Sequence, residues 1–259
     1  MVCMLPTLSV ITPSYNQGEF LEETLRSVIR QDYGPLEYIV IDGGSTDDSV
    51  DIIKSYAGNL HYWVSEPDGS HTAGLLKGFA RASGEILCWL NSDDLFEPGA
   101  LVEVGHFFST HPELSVVYGD ALWIDRSGKV VRPKKEHGFN RFIWTYDHNF
   151  IPQPSTFWRK SVYDQVGGLD TSYQLAFDAD FWIRLADITP LHHVPRIWSR
   201  MRLYPEQRNQ KFRALSDHED LCIRRTYIGN ESFASRKCKK VIAKSMRVAW
   251  KVATGCYWC

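Results

Sequence analysis

Two adjacent carboxylates, Asp93 and Asp94, follow an apolar run, Glu85–Leu90, which predicts a buried strand. Adjacent carboxylates repel each other unless a cation or hydrogen-bond donors offset their charge. A hard divalent ion such as Mg²⁺ or Mn²⁺ can do so while phosphates and water supply its other ligands. These residues therefore indicate a metal or phosphate site. The alternative is a solvated turn before the next helix, near Pro98.

A second pair, Asp178 and Asp180, lies among aromatic and aliphatic residues in Phe177–Leu185, at the start of a predicted helix. Apolar surroundings raise the pKa of a carboxyl group, which suits it to act as a general base near neutral pH. The alternative is structural, with the acids at a helix N-terminus and Asp180 paired with Arg184 four residues later.

A third group, Asp42–Asp48, combines acids, hydroxyls and two glycines after the apolar run Glu37–Asp42. A carboxylate at a strand end can accept a hydrogen bond from a base or a ribose hydroxyl, and glycine allows close backbone approach to a ligand. The alternative is an ordinary turn in which Ser45 or Thr46 caps the next helix. The glycine fingerprints of dinucleotide-binding and P-loop proteins are absent, which argues against a nicotinamide-dependent oxidoreductase.

The elements that must position these groups alternate between strand-like and helix-like patterns in the first half of the chain. Such alternation predicts βαβ units, a mainly parallel sheet and an α/β fold. Ligands bind at the carboxyl ends of the strands in these sheets. The polar loops there are Pro13–Gln17, Asp42–Asp48 and Asn91–Asp94. The predicted strands are Leu8–Thr12, Glu37–Asp42, Leu60–Ser65, Glu85–Leu90, Leu114–Gly119 and Pro154–Trp158, with a hairpin at Ala121–Val131; the predicted helices are Gly18–Gln31, Ser45–Tyr56, Thr72–Ala82, Pro98–Thr110 and Asp178–Asp187.

The composition is that of a globular protein, because 44% of the 259 residues are hydrophobic and 23% are charged. The net charge of −2 argues against a strongly basic nucleic-acid binder, so we expect no nucleic-acid partner. Six cysteines without the spacing of a disulfide framework predict a reduced, cytoplasmic setting. We expect no signal peptide, because no basic residues precede the apolar stretch at the N-terminus. We expect no transmembrane helix, since no apolar run reaches about 18 residues.

The charge is unevenly distributed along the chain. Seven basic and no acidic residues fall in Arg236–Cys259, which leaves −9 for residues 1–235. Apolar residues recur there at helical spacing, which predicts a basic amphipathic helix. Such a helix binds a membrane surface, or else its apolar stripe packs on the rest of the protein with the lysines in water. The stripe consists of Cys238, Val241, Ile242, Met246, Ala249 and Ala253, with Trp250 alongside.

Two weaker features carry little chemistry. Cys256 and Cys259 form a C-x-x-C at the chain end, but no second pair completes a zinc site and no helix follows to lower the pKa of a thiol. The pair His192-His193 lies in a pattern that favours strand packing over metal binding.

In its motifs and their order, the chain resembles the family 2 glycosyltransferases, an inverting group with the GT-A fold. The resemblance implies a Rossmann-like α/β catalytic domain over residues 1–210, with a donor half at about 1–120 and an acceptor half at about 121–210. A C-terminal helical appendage follows at 211–259. The matching segments are Val10–Gln17, Tyr38–Ser49, Ser83–Phe96, Pro152–Arg159, Val166–Asp170 and Phe177–Leu185.

The resemblance also implies site residues and ligands. The donor is a nucleotide-diphospho-sugar, typically a UDP-sugar, and Asp42 recognises its base. Asp93 binds Mn²⁺ or Mg²⁺ on the diphosphate, with Asp94 as a helper. Asp178 is the catalytic base and Asp180 is the runner-up. The nucleotide-sugar pocket includes Pro13, Ser14, Tyr15, Asn91 and Ser92.

The implied reaction is the transfer of a sugar to a hydroxyl of a saccharide or lipid-linked saccharide, in polysaccharide or glycolipid synthesis. Some residues depart from the family pattern. Asn91 replaces the first aspartate of Asp-x-Asp, Phe177 replaces the glutamate of Glu-Asp, and Tyr204 replaces a histidine. His71 and Leu76 replace a glutamine and an asparagine near the expected donor sugar. These departures leave open a catalytically degenerate module that only binds a nucleotide-sugar.

Overall fold

The structure, a computed structural model, describes residues 4–256. The C-x-x-C prediction therefore lies partly outside the described residues, because Cys259 is not among them. Cys88 is buried, Cys222 and Cys256 are partly exposed and Cys238 is exposed, and these four described cysteines form no disulfide with one another.

Nine strands of the described chain form one sheet in the order β3-β2-β1-β4-β8-β6-β9-β5, with β7 paired to β6. The sheet is mixed rather than mainly parallel. Pairing is parallel among β1 to β4 and between β6 and β9, but antiparallel at β4–β8, β6–β8, β6–β7 and β5–β9. The parallel prediction holds for the first half, where helices connect the strands. The strands are β1 (Leu8–Ser14), β2 (Leu36–Asp42), β3 (Tyr62–Ser65), β4 (Ile86–Trp89), β5 (Leu95–Phe96), β6 (Val116–Ile124), β7 (Val130–Lys134), β8 (Thr156–Arg159) and β9 (Leu191–Arg202).

The helices in the first half confirm the sequence prediction, with one shifted start. The helix predicted from Ser45 begins at Ser49 instead, because the Asp42 carboxylate accepts hydrogen bonds from the backbone of Gly44 and Ser45 and holds a loop there. The helices are α1 (Gly18–Ile29), α2 (Ser49–Ser55), α3 (His71–Phe79), α4 (Ala100–Thr110), α5 (Arg141–Tyr146), α6 (Lys160–Val166), α7 (Phe177–Ile188), α8 (Arg208–Lys211), α9 (Arg213–Ile228) and α10 (Phe233–Ala253).

A buried aromatic cluster joins the sheet to helix α7. The Trp89 ring, at the end of β4, stacks on Trp182 of α7 with centroids 5.5 Å apart and an interplanar angle of 7°. Trp158 on β8 contacts both rings edge-on, at 5.4 Å and 5.6 Å. Each such pair contributes about 0.5–1.5 kcal/mol beyond its buried area. The cluster therefore fixes the start of α7 relative to the loop that follows β4.

The C-terminal helices contact the sheet domain. Ile223 of α9 is buried in the core, and Arg224 donates to the backbone oxygen of Trp144 on α5. Helix α10 lies against α5.

No helix in residues 4–256 combines the length and apolar character needed to span a membrane. The predicted division at residue 210 stays a prediction. His193 confirms strand packing, because its Nε2 lies 2.8 Å from the Asp120 carboxylate beside the ring of Tyr118.

Candidate functional site

A cleft of about 1470 Å³ opens at the carboxyl ends of β1 and β4. Its other walls come from the β6–β7 hairpin, the start of α7, the end of β9 and helix α8. The structure thus brings together segments that lie far apart in the sequence. Eight of the ten predicted site residues line this cleft: Pro13, Ser14, Tyr15, Asn91, Ser92, Asp93, Asp94 and Asp178.

The acidic pair stands at the floor of the cleft, and both side chains are nearly buried, with 8% of Asp93 and 3% of Asp94 exposed. Burial raises the pKa of both carboxyl groups, and for Asp94 the neighbouring Asp93 carboxylate raises it further. The buried Arg202 offsets part of this charge. Its backbone nitrogen donates to Asp94 Oδ1 at 2.9 Å, and its Nε donates to the backbone oxygen of Asp93 at 2.9 Å.

Tyr204 forms a direct hydrogen bond to the acidic pair, and the sequence did not predict this contact. Its hydroxyl donates to Asp93 Oδ2 at 3.0 Å, and the Gln207 amide donates weakly to the same oxygen at 3.4 Å. Both donors come more than 100 residues after Asp93 in the chain. The only sequence signal for this contact was the segment Arg202–Pro205, in which Tyr204 replaces the histidine of the family pattern.

The donor set of the acidic pair fits a hard divalent cation. Two buried carboxylates with raised pKa values gain free energy when a cation replaces their protons. Magnesium-type ions need only one or two protein carboxylates when phosphates and waters complete the octahedron. Among the described residues, no group of three or more His, Cys, Asp or Glu side chains is arranged around a metal position. Asp93 and Asp94 are the residues that would hold such an ion.

Asp178 also lines the cleft, in the first turn of α7. Burial raises the pKa of its carboxyl group from 3.8 to about 6, and the Asn149 side chain acts in the opposite direction by donating to Oδ2 at 3.2 Å. The preceding Phe177 contributes to the apolar wall, since its ring lies 5.9 Å from that of Trp89. A carboxylate with this pKa is ionised at pH 7 and is still basic enough to accept a proton.

Asp180 has a different environment, although it is only two residues away. Its carboxylate forms an ion pair with Arg184, with Oδ2 2.7 Å from Nε, and it does not line the cleft. The guanidinium of Arg184 also donates to the backbone oxygens of Val166 and Gly168. This is the structural alternative that the sequence left open for Asp180.

Asp42 lies behind the cleft rather than on its surface. It is fully buried, and its carboxylate accepts hydrogen bonds from the backbone of Gly44 and Ser45 and from the Ser65 hydroxyl, at 2.7–3.1 Å. These bonds shape the loop that presents Gly43 to the cleft. A direct contact between Asp42 and a base stays a prediction.

The end of β1 provides an aromatic ring and an unpaired hydroxyl to the same edge of the cleft. Tyr15 is 61% exposed, and Ser14 Oγ is buried without a hydrogen-bond partner among the described residues. His71 lies nearby with its ring 5.5 Å from that of Phe177. Burial, followed by the charge of Arg208, lowers the pKa of His71 to about 4, so the imidazole is neutral at pH 7.

Glu219 positions the segment that leads into α7, and the sequence gave no sign of this role. Its carboxylate accepts three backbone N–H groups, from Gln174, Leu175 and Ala176, at 2.8–2.9 Å. Asp178 follows this segment directly. Helix α9 therefore fixes the approach to the first turn of α7.

Comparison with known proteins identifies the family of this chain. The sequence model described as Glycosyl transferase family 2 matches residues 9–167, more than half of the chain. The chain belongs to glycosyl transferase family 2. Among its relatives in this family, an uncharacterized glycosyltransferase of Mycobacterium tuberculosis is 34% identical over 183 residues, which cover 70% of this chain and 69% of the relative. A PGL/p-HBAD biosynthesis glycosyltransferase of Mycobacterium bovis is 30% identical over 69% of each chain.

Solved structures support the GT-A glycosyltransferase fold. S. aureus TarS 1-349 in complex with UDP-GlcNAc superimposes with a TM-score of 0.68 and 18% identity, over 90% of this chain and 70% of that one. The mannosyltransferase PcManGT from Pyrobaculum calidifontis, in complex with GDP-Man and Mn²⁺, superimposes with a TM-score of 0.67 and 17% identity. This match covers 96% of this chain and 76% of that one. Against the longer TarS chain, this glycosyltransferase spans 41% of the length.

Two departures from the family pattern have a structural explanation in this glycosyltransferase. Tyr204, in place of histidine, still delivers a hydrogen-bond donor to Asp93. Phe177, in place of glutamate, extends the aromatic wall with Trp89 and His71, so Asp178 has no ionised neighbour before it in the chain. The apolar wall raises the pKa of Asp178 by burial instead.

Proposed function

We propose that this glycosyltransferase moves a sugar from a nucleotide-diphospho-sugar to an acceptor hydroxyl by a single displacement that inverts the anomeric carbon. The observation that carries the proposal is one cleft that is lined both by a basic carboxylate, Asp178, and by a buried acidic pair, Asp93 and Asp94. An acceptor bound between them has a proton acceptor on one side and a site for the departing diphosphate on the other.

Asp178 is the general base in this proposal. Its carboxylate takes the proton from the acceptor hydroxyl while the oxygen attacks the anomeric carbon and the bond to the diphosphate breaks. General-base help of this kind contributes about 10²–10⁴-fold to the rate. Asn149 orients the carboxylate by donating to its Oδ2.

The diphosphate lies near Asp93 and Asp94 in this proposal. Asp93 and Asp94 would hold a Mn²⁺ or Mg²⁺ ion, which would supply positive charge beside the leaving nucleoside diphosphate. Tyr204 and Arg202 hold the two carboxylates in place. Arg208 adds a cation to the same wall of the cleft.

The donor is a UDP-sugar in this proposal, bound against Pro13, Ser14 and Tyr15, with Asn91 and Ser92 at the sugar-diphosphate end. The exposed Tyr15 ring offers a surface on which a base can stack. TarS was solved with UDP-GlcNAc and PcManGT with GDP-Man, so both nucleotides belong in the test.

The acceptor is a saccharide or a lipid-linked saccharide in this proposal. Arg132, Lys134, Arg247 and Lys251 line the cleft, and the last three form ion pairs with Glu136 or Asp147. The exposed Arg132 would attract a negatively charged or phosphate-bearing acceptor. The M. bovis relative named for PGL/p-HBAD biosynthesis is consistent with an acceptor of glycolipid type.

The test is a donor panel on the full chain. We expect one of UDP-, GDP- or dTDP-sugars to raise the Tm, and more so with Mn²⁺, because a ligand at about 100 times its Kd stabilises the native state by about 2.7 kcal/mol. We expect the bound donor to release nucleoside diphosphate when saccharide acceptors are added, and NMR of the product to show inversion. Binding without turnover across acceptors would favour the degenerate binding module, and a product with retained configuration would contradict the mechanism.

A further inference from the structure

Helix α10 turns an apolar face toward solvent. Seven large apolar side chains on this helix are each at least 37% exposed. Phe233 begins the helix and Trp250 stacks on His137, which leaves five along the side away from the domain. They are Val241, Ile242, Met246, Val248 and Val252. We call this set the exposed face. The alternative in which the apolar stripe packs on the catalytic domain is therefore not what the structure has.

The opposite side of α10 contacts the rest of the protein, mainly through ion pairs. Arg247 pairs with Asp147, and Lys251 pairs with Glu136 at 2.9 Å. The Trp250 ring stacks on His137 with centroids 4.7 Å apart, and Ala243 is fully buried. These contacts fix the rotation of α10 about its axis, so the exposed face cannot turn inward without breaking them.

Three lysines border the exposed face on one side. Lys237, Lys240 and Lys244 recur at intervals of three and four residues and so form one row along the helix. All three are exposed, and none makes an ion pair within the described part of the chain. The last acidic residue before this row is Glu231. The surface is thus aliphatic with a purely cationic edge.

We propose that the exposed face binds the surface of an anionic lipid bilayer, with α10 lying in the plane of the interface. The valines and Ile242 enter the boundary between headgroups and acyl chains while the lysine row contacts lipid phosphates. A second copy of the chain is a poorer occupant, because two such helices placed face to face would bring their cationic rows together. The cytoplasmic leaflet carries the anionic lipid, which agrees with the predicted cytoplasmic location.

This orientation places the catalytic cleft beside the membrane. Arg247 and Lys251 line the cleft from the side of α10 opposite the exposed face, and Cys256 lines it just after the helix ends. The bilayer and the cleft are then separated by about one helix diameter, roughly 10 Å. Combined with the proposed function, this geometry favours an acceptor that is presented from the membrane, but lipid binding itself does not depend on that function.

The experiment is co-sedimentation of the full chain with vesicles of phosphatidylcholine, alone or mixed with phosphatidylglycerol. We expect binding to the mixed vesicles only, weakened about fivefold for each lysine of the row replaced by glutamine at low salt. The double variant Val241→Ser/Val248→Ser removes apolar area without changing charge, and we expect it to lower binding at least tenfold. The matched control is Val130→Ser/Val131→Ser, two similarly exposed valines on β7, which should bind as the parent does.

Each outcome decides for or against the proposal. Equal binding of the Val241→Ser/Val248→Ser variant and the parent, or no binding of the parent to anionic vesicles, would overturn it. A parent that is dimeric in solution, and becomes monomeric in that variant, would assign the exposed face to a second copy instead. Thermal unfolding and donor binding of the variants, measured without lipid, should match the parent. A lost lipid interaction is thereby distinguished from misfolding and from failure of the proposed function.

Discussion

Replacing Asp178 by asparagine separates the chemistry of this carboxylate from the cost of burying it. The amide has the same size and can still accept a hydrogen bond, but it has no charge and no useful basicity. If Asp178 is the general base, the rate of sugar transfer should fall by about 10²–10⁴-fold. Donor affinity should change little, because the base acts on the acceptor.

The same substitution should make the protein more stable at neutral pH. Burial raises the pKa of Asp178 from 3.8 to about 6. A difference of about 2 in pKa corresponds to at most about 3 kcal/mol of cost for the ionised form in the native state at pH 7. Because this pKa is raised, the native state binds the proton more tightly than the unfolded chain. Stability of the parent is therefore lost as the pH rises from about 4 to about 6, and the asparagine variant escapes that loss.

The assay pairs single-turnover kinetics with thermal unfolding at several pH values. We expect the variant to have a higher Tm at pH 7, by about 2–4 °C for each kcal/mol, and the difference to vanish near pH 4. Asp180→Asn is the matched control, because Asp180 faces Arg184 outside the cleft, and we expect it to retain activity within a few-fold. Full activity of Asp178→Asn, or a large loss in Asp180→Asn with Asp178→Asn intact, would refute the assignment of the base.

Further predictions follow from the contacts around the two carboxylate sites. Asn149→Ala removes one of the donors that lower the pKa of Asp178, so the acid limb of the pH–rate profile should move from about 6 to slightly higher pH, with an unchanged plateau above it. The shift should be small, because the backbone donors of Asp178 and Ala179 remain. Tyr204→Phe removes the donor to Asp93 and should weaken Mn²⁺ activation about 10–100-fold, measured by metal titration of donor turnover. Glu219→Ala leaves three backbone N–H groups without their acceptor, so both Tm and kcat should fall, and Glu219→Gln should restore part of each.

Controls for these variants come from the same cleft. Asn209→Ala changes an exposed cleft residue on α8, and its pH–rate profile should keep the parent midpoint. An unmoved midpoint in Asn149→Ala would mean that the hydrogen bond does not set the basicity of Asp178. Unchanged metal dependence in Tyr204→Phe would place the ion away from Asp93. Normal kcat in a destabilised Glu219→Ala would limit Glu219 to a structural role.

The local patterns predicted the strand ends well, because they depend on neighbours in the sequence. Short continuous apolar runs predict strands buried on both faces, and Asp93 and Ser14 follow or end such runs. The mixed half of the sheet was harder to predict. Strand β9 pairs in parallel with β6 and antiparallel with the two-residue β5, and these long-range pairings leave no local signal. The loop that delays α2 depends on the Asp42 side chain rather than on helix propensity.

The sequence by itself determined the chemistry that is present: a basic tail, an acidic pair after β4 and two aspartates at the start of α7. Only the tertiary structure decided how each is used. Asp178 and Asp180 are two residues apart, so they point about 200° apart around the helix axis, and the rotation of α7 decides which one faces the cleft. The stacking of Trp182 on Trp89 sets that rotation. Likewise, sequence periodicity revealed an apolar stripe on α10, but only the ion pairs on the opposite side of the helix decided that this stripe faces outward.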